Sequence, residues 1–345
     1  MLITIRNSAT RSAVRAEFEQ DLLRLQLGLD AHRAFETDIY VTNTCNLRCS
    51  YCYFYYEDYF SEASHHAKEN VTTDTLRRLT EKLSGKTYCL VILGGEPFSR
   101  RDFGELLHHI RQQDIPSIRV STNGLLLRRN KQLLPLIDTL TVSIDAMRTR
   151  QYPGQMTRLL GDLAGLRQEF GDDLPTIVPS WTTASTDDFD RDVVPILDFC
   201  VENRFIMKFL PLKQDQHSDW AKEREISLRA IEYAGPEFVT NDRKHSARLS
   251  NEFAQANCLV QGNQFYLDFE GNFLYPCDEY ADQKVGSLLD SEVEDLVELG
   301  RQRYGEFPAS GSVCAHCPSG CHSDNSFILR NPARQLQWLD GGTRL

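Results

Sequence analysis

Three cysteines fall within eight positions of one short run, "CNLRCSYC", residues 45–52, with the spacing C-x3-C-x2-C. Thiolates at this density bind metal or form disulfides. An odd count in a chain that looks cytosolic argues against disulfides. A structural zinc site needs four closed ligands, usually from two C-x2-C pairs, and no nearby Cys or His offers the fourth. A [4Fe–4S] cubane takes one thiolate per iron. Three thiolates leave one iron open, and an open iron can bind a small molecule. The missing fourth ligand therefore points to a cofactor.

A second group of cysteines lies near the C-terminus: Cys258, Cys277, Cys314, Cys317 and Cys321. The stretch before Cys277, "YLDFEGNFLYPC", predicts a small hairpin with Gly271 in the turn. "CAHCPSGC" then supplies C-x2-C-x3-C. Taken alone, this region suits zinc as well as iron–sulfur chemistry. Cys89 and Cys200 stand alone in apolar surroundings and read as plain buried thiols.

The elements that must position these residues alternate. Strands are predicted at 38–42, 88–93, 117–121, 139–144, 176–182 and 206–210, with helices near 73–84, 102–113, 130–137, 156–169 and 190–203 between them. Six β-α steps imply a parallel sheet with helical crossovers. Each distinctive motif follows a strand: Cys45 after the first, "GGEP" (94–97) after the second, "TNG" (122–124) after the third and "SID" (143–145) at the end of the fourth. Ligands of parallel α/β folds bind at the carboxyl ends of the strands, so four motifs converge on one rim. Asn-Gly at 123–124 is also a turn signal in its own right.

These residues resemble the radical S-adenosylmethionine (radical SAM) superfamily. C-x3-C-x2-C, with Tyr51 before its last cysteine, is followed 42 residues later by Gly94-Gly95-Glu96-Pro97, which is similar to that family's "GGE" motif. The resemblance implies a partial (β/α)6 TIM-type barrel over 37–212. It implies that Cys45, Cys49 and Cys52 hold a [4Fe–4S] cluster and that the amine and carboxylate of SAM chelate its open iron. Gly94, Gly95 and Glu96 are implied to hold the amino group, Tyr51 to lie near the adenine, and Ser143 and Asp145 to meet the ribose or carboxylate. Asn123 sits on the same rim. Arg148, Arg150 and Arg158 all stand as partners for the SAM carboxylate, with no choice among them. The implied chemistry is reductive cleavage of SAM to a 5'-deoxyadenosyl radical, which takes hydrogen from an unactivated carbon, with electrons from an external donor such as flavodoxin or ferredoxin.

The C-terminal cysteines resemble the auxiliary-cluster extensions called SPASM and twitch, which implies an auxiliary [4Fe–4S] cluster on four of Cys258, Cys277, Cys314, Cys317 and Cys321. Five residues stand between Gly271 and Cys277, where those extensions have four. The expected organisation is a helical extension (1–36), the barrel (37–212), a partly helical connector (213–257), the small Cys-rich domain (258–330) and a tail (331–345).

Composition narrows the substrate. The 345 residues carry a formal net charge of -11, and no basic stripe marks a nucleic-acid binder. No apolar run reaches the ~18 residues of a membrane span, and the first residues lack a signal-peptide pattern, so the expected address is cytoplasmic. A small-molecule substrate is the first expectation, because only 44 residues precede Cys45, fewer than a peptide-recognition module needs. Maturation of a ribosomally made peptide is the alternative, and a non-catalytic iron–sulfur protein is a third.

Overall fold

The computed structural model describes residues 3–6, 8–52, 71–214, 217–218, 220–240, 261–276 and 283–305, with Leu336 and Leu339. Cys258, Cys277, Cys314, Cys317 and Cys321 lie outside the described residues, so the auxiliary-cluster expectation does too.

The predicted alternation is present. After helix α1 (Ser8–Gln26) come β1 (Glu36–Tyr40), α2 (Thr73–Lys82), β2 (Cys89–Leu93), α3 (Phe103–Ile110), β3 (Ser117–Thr122), β4 (Thr139–Ser143), α4 (Ala146–Gln151), α5 (Gln155–Phe170), β5 (Thr176–Thr183), α6 (Val194–Asn203) and β6 (Lys208–Pro211). The six strands run parallel in sequence order. This is the parallel barrel sheet with helical crossovers that the motif pattern implied. A short ribbon of β7 (Lys213–Gln214) and β8 (His217–Ser218) and helix α7 (Trp220–Ala234) follow.

Two predicted helices form differently. Residues Arg128–Leu136 make 3₁₀ turns, broken at Asn130 and carrying Pro135 inside, because proline removes a donor and clashes with the preceding turn. Helix α6 is preceded by a π turn over Phe189–Val193, and its Pro195 sits at the start, where no amide donor is needed.

The strands β9 (Gln264–Leu267), β10 (Asn272–Leu274) and β11 (Lys284–Ser287), followed by helix α8 (Val293–Tyr304), extend the same sheet. β9 pairs parallel with β1, and β10 folds back antiparallel on β9 and β11. Gly271 takes φ +79° in the β9–β10 turn, as a left-handed position requires. Phe265, Leu267 and Phe273 share one apolar core with the barrel strands and helices.

Each barrel strand alternates. Ile39, Leu90, Ile92, Ile118, Val120, Leu140 and Val142 face outward onto Leu76, Leu106, Leu159 and Leu163 of the helices. The intervening residues face the lumen. At the amino ends of the strands the lumen is closed by the N-terminal segment. Ser117 donates to the Thr4 carbonyl at 2.8 Å, the Thr4 and Thr139 hydroxyls lie 2.7 Å apart, and Arg6 reaches the carbonyls of Leu134 and Ile137. Phe18 of α1 is fully buried between Phe35 and Tyr88, its ring centroid 5.0 and 5.2 Å from theirs. Phe18→Ala is expected to cost about 3–5 kcal/mol, measured by urea unfolding of the full chain.

Candidate functional site

The site stands at the carboxyl ends of β1–β4, and its geometry starts from backbone packing. Past β1, the chain passes Thr42 and Thr44 to Cys45. Past β2, the Gly94–Glu96 loop lies directly on this stretch. Gly95 N–H donates to the Thr42 carbonyl and Glu96 N–H to the Thr44 carbonyl, each at 2.8 Å. A Cβ on Gly94 would collide with the Thr42 carbonyl oxygen, and one on Gly95 with that of Thr44. The two glycines are there because backbone meets backbone. Neither the Gly94 nor the Gly95 carbonyl accepts a hydrogen bond among the described residues.

Glu96 is turned inward and fully buried. Its Oε1 accepts from the Thr122 hydroxyl at 2.8 Å and from Phe98 N–H at 3.1 Å, and its Oε2 from Asn123 N–H at 2.8 Å. Burial raises its pKa against the pull of these donors. The carboxyl group ties the loop after β2 to the end of β3. Glu96→Gln turns one accepting oxygen into a donor facing donors and is expected to cost about 1–3 kcal/mol, read as a lower unfolding midpoint. Asn123 carries the link onward: its Nδ2 donates to Asn46 Oδ1 at 2.7 Å and lies 3.8 Å from Cys45 Sγ.

A second set of ties comes from α4. Asp145 caps this helix, with Oδ1 accepting from Arg148 N–H at 2.8 Å, while Oδ2 accepts from the Tyr51 hydroxyl at 2.7 Å. Asp145 is buried, and burial raises its pKa. Gln151 Oε1 accepts from Ser50 N–H at 2.8 Å, its Nε2 donates to the Arg48 carbonyl at 2.6 Å, and the Tyr152 hydroxyl accepts from Arg48 N–H at 2.8 Å. The cysteine loop is thus held from outside, through its own backbone. Sequence reasoning missed Gln151 and Tyr152: no local motif marks them, and only the docking of α4 brings them to residues a hundred positions earlier.

The structure distinguishes the three arginines. Arg158 is largely exposed and pairs with Asp162, and Arg150 faces Asp187 and Asp192. Arg148 is 2% exposed. Its Nη1 donates to the Ser143 carbonyl at 2.6 Å, while Nε and Nη2 are buried without a hydrogen-bond partner among the described residues. It lies close enough to act on two neighbours. Burial and Asp145 raise the Cys49 thiol while Arg148 lowers it, and Arg148 also pulls on the buried Glu96 carboxyl. The Ser143 side chain is exposed at the rim.

Cys45, Cys49 and Cys52 are half-buried free thiols on this one loop, and Cys89 and Cys200 are buried elsewhere. Among the described residues, no three Cys, His, Asp or Glu side chains are gathered to share a single metal ion. Three free thiols on one short loop suit a cubane, where each takes a different iron, whereas a closed zinc site wants four ligands. The residues present fit the cluster.

The model of the radical SAM superfamily matches residues 39–160, the span that runs from β1 through the cysteine loop, the glycine loop, Asn123 and Arg148 into α5. Residues 39–160 of the chain form a radical SAM domain. Its cofactors are accordingly a [4Fe–4S] cluster and SAM, and its turnover requires a one-electron donor. The enzyme is 25% identical over 258 residues to a Methanocaldococcus jannaschii protein named Probable GTP 3',8-cyclase, across 69% of this chain and 83% of that one. Its fold is similar to that of Streptococcus suis SuiB bound to S-adenosylmethionine (TM-score 0.63, 15% identity, 87% of this chain and 74% of that one). It is also similar to that of anSMEcpe with bound AdoMet (TM-score 0.54, 16% identity, 89% and 99%). No helix among the described residues is long and apolar enough to cross a membrane.

Proposed function

We propose that the enzyme uses SAM to abstract a hydrogen atom from a small-molecule substrate held in the barrel lumen. The observation that carries this reading is the arrangement of the rim. A loop of three free thiols is braced by the glycine loop on one side and by α4 on the other, above a lumen closed from below by the N-terminal segment. The chemistry a bound cluster and SAM supply is one-electron cleavage of SAM to methionine and a 5'-deoxyadenosyl radical.

This chain's own residues divide the remaining work. Cys45, Cys49 and Cys52 ligate the cluster. Gly94 and Gly95 offer their free carbonyls to the SAM ammonium. Arg148 offers Nε and Nη2, unpartnered among the described residues, to the SAM carboxylate, where a charge-assisted pair is strongest. Ser143 and Asn123 stand at the rim beside it. Glu96, Asp145 and Tyr51 hold these groups in place through buried hydrogen bonds. Four of the C-terminal cysteines Cys258, Cys277, Cys314, Cys317 and Cys321 are proposed to hold an auxiliary [4Fe–4S] cluster, and flavodoxin or ferredoxin to supply electrons, in the cytoplasm. The proposed organisation keeps the extension at 1–36, the barrel at 37–212, the connector at 213–257, the auxiliary domain at 258–330 and the tail at 331–345.

The relative named as a GTP 3',8-cyclase supports a small substrate. A peptide substrate is the second reading, favoured by the fold shared with SuiB, of which one solved structure is bound to its precursor peptide. The test uses deuterated cell extract, split at about 1 kDa and added to reconstituted enzyme with SAM and dithionite. Deuterium is expected in 5'-deoxyadenosine with the low-mass fraction. Labelling by the peptide fraction alone would replace the small-molecule reading with the maturase one.

A further inference from the structure

The lumen carries a lysine with no hydrogen bond or ion pair among the described residues. On β6, Met207 and Phe209 are buried in the outer core. Lys208 between them therefore faces the lumen. Lys208 pairs in register with Ser180 of β5, and Ser180 with Ser143 of β4. The three side chains sit on one face of adjacent strands, about 5 Å apart. They form a diagonal row from the exposed Ser143, beside Arg148, to Ser180, 6% exposed, and the half-buried Lys208.

None of these three side chains has a hydrogen bond or ion pair among the described residues. The other lumen charges among the described residues lie close to one another. Arg119 binds Glu36 at 2.6 Å. Burial alone would raise Glu36, yet Arg119, with Lys208 further off, holds its carboxyl below the ordinary value, and Asp38 lies in the field of Arg119 as well. An ammonium half out of water, attracted to Glu36 only from a distance and given no acceptor of its own among the described residues, is left under-solvated. A row of one ammonium and two hydroxyl donors matches the oxygens of an anion.

We propose that Lys208 and Ser180 form the subsite that binds an anionic group of the substrate, a carboxylate or a phosphate ester, and so set its distance from the SAM site at Ser143 and Arg148. The subsite rests on the reading of the lumen as the substrate chamber and names the class of molecule it takes.

The test titrates the anaerobically purified full chain, without SAM, with inorganic phosphate and separately with acetate, by calorimetry. At least one anion is expected to bind. Binding is expected to weaken at least tenfold in Lys208→Gln, as loss of a charged hydrogen-bond partner implies. It is expected to recover to within about threefold in Lys208→Arg, which keeps the charge, and to weaken by about three- to tenfold in Ser180→Ala. Phosphate binding alone assigns a phosphate ester, and acetate binding alone a carboxylate. Failure of both anions to bind the unsubstituted protein overturns the proposal. So does equal binding by folded Lys208→Gln and Ser180→Ala, which would mark an adventitious ion only. If Lys208→Gln does not fold, Ser180→Ala and Lys208→Arg carry the comparison. Formation of 5'-deoxyadenosine by the unsubstituted enzyme tests the radical reading separately, since the titration uses neither SAM nor reductant.

Discussion

Replacing Cys45, Cys49 and Cys52 together with alanine is expected to reduce 5'-deoxyadenosine formation to the level of the reagents alone and to remove about four irons per chain. The effect is all-or-none because each thiolate serves a different iron. The fold is expected to survive. The loop is held by backbone hydrogen bonds from Gln151 and Tyr152 and by its contact with Gly94 and Gly95, none of which involves a cysteine side chain. The unfolding midpoint of the cluster-free protein therefore stays close to that of the unsubstituted apo chain. The iron that remains reports on the C-terminal cysteines: about four per chain marks an auxiliary cluster, whereas zinc in its place marks a structural knuckle. Persistence of 5'-deoxyadenosine in the triple variant would overturn the assignment of the loop.

Arg148→Met is expected to weaken SAM binding by at least about 100-fold, from the loss of two hydrogen bonds to a charged partner worth roughly 1.5–3 kcal/mol each. The same substitution is expected to leave the apo protein nearly as stable as before, or more stable. Two guanidinium nitrogens of Arg148 are buried without a hydrogen-bond partner among the described residues, so the apo state carries a desolvation cost that the nearby carboxyls of Asp145 and Glu96 offset only in part. Replacement by an apolar side chain of similar length relieves it and gives up one hydrogen bond to Ser143. A purely structural arginine would behave in the opposite way, with stability falling and SAM affinity unmoved. Equilibrium dialysis of SAM with the reconstituted protein, set beside urea unfolding of the apo protein, distinguishes the two. Unchanged SAM affinity in Arg148→Met would sink the role given to this residue.

The sequence by itself determined the chemistry class and the frame. Thiol spacing is a local property, and C-x3-C-x2-C places three sulfurs on one short loop whatever surrounds it. The period of apolar residues and the turn signals between them were enough to place six parallel strands, because backbone hydrogen bonding and side-chain alternation act over a few residues at a time. The same holds for the hairpin at Gly271, where only a glycine easily takes the turn's positive φ.

What only the tertiary structure decided are the roles that depend on docking between distant segments. "GGEP" shows a carboxylate after two glycines, but that Glu96 points inward follows from Thr122 and Asn123 arriving on β3. Three arginines within eleven residues look alike in the sequence. Arg148 differs from Arg150 and Arg158 because α4 packs it under the rim, where two of its nitrogens have no hydrogen-bond partner among the described residues. The clamp of Gln151 and Tyr152 on the cysteine loop, and the row of Ser143, Ser180 and Lys208, exist only once strands from separate β-α units are set in register. Burial and register are sums over the whole sheet, and no window of the chain contains them.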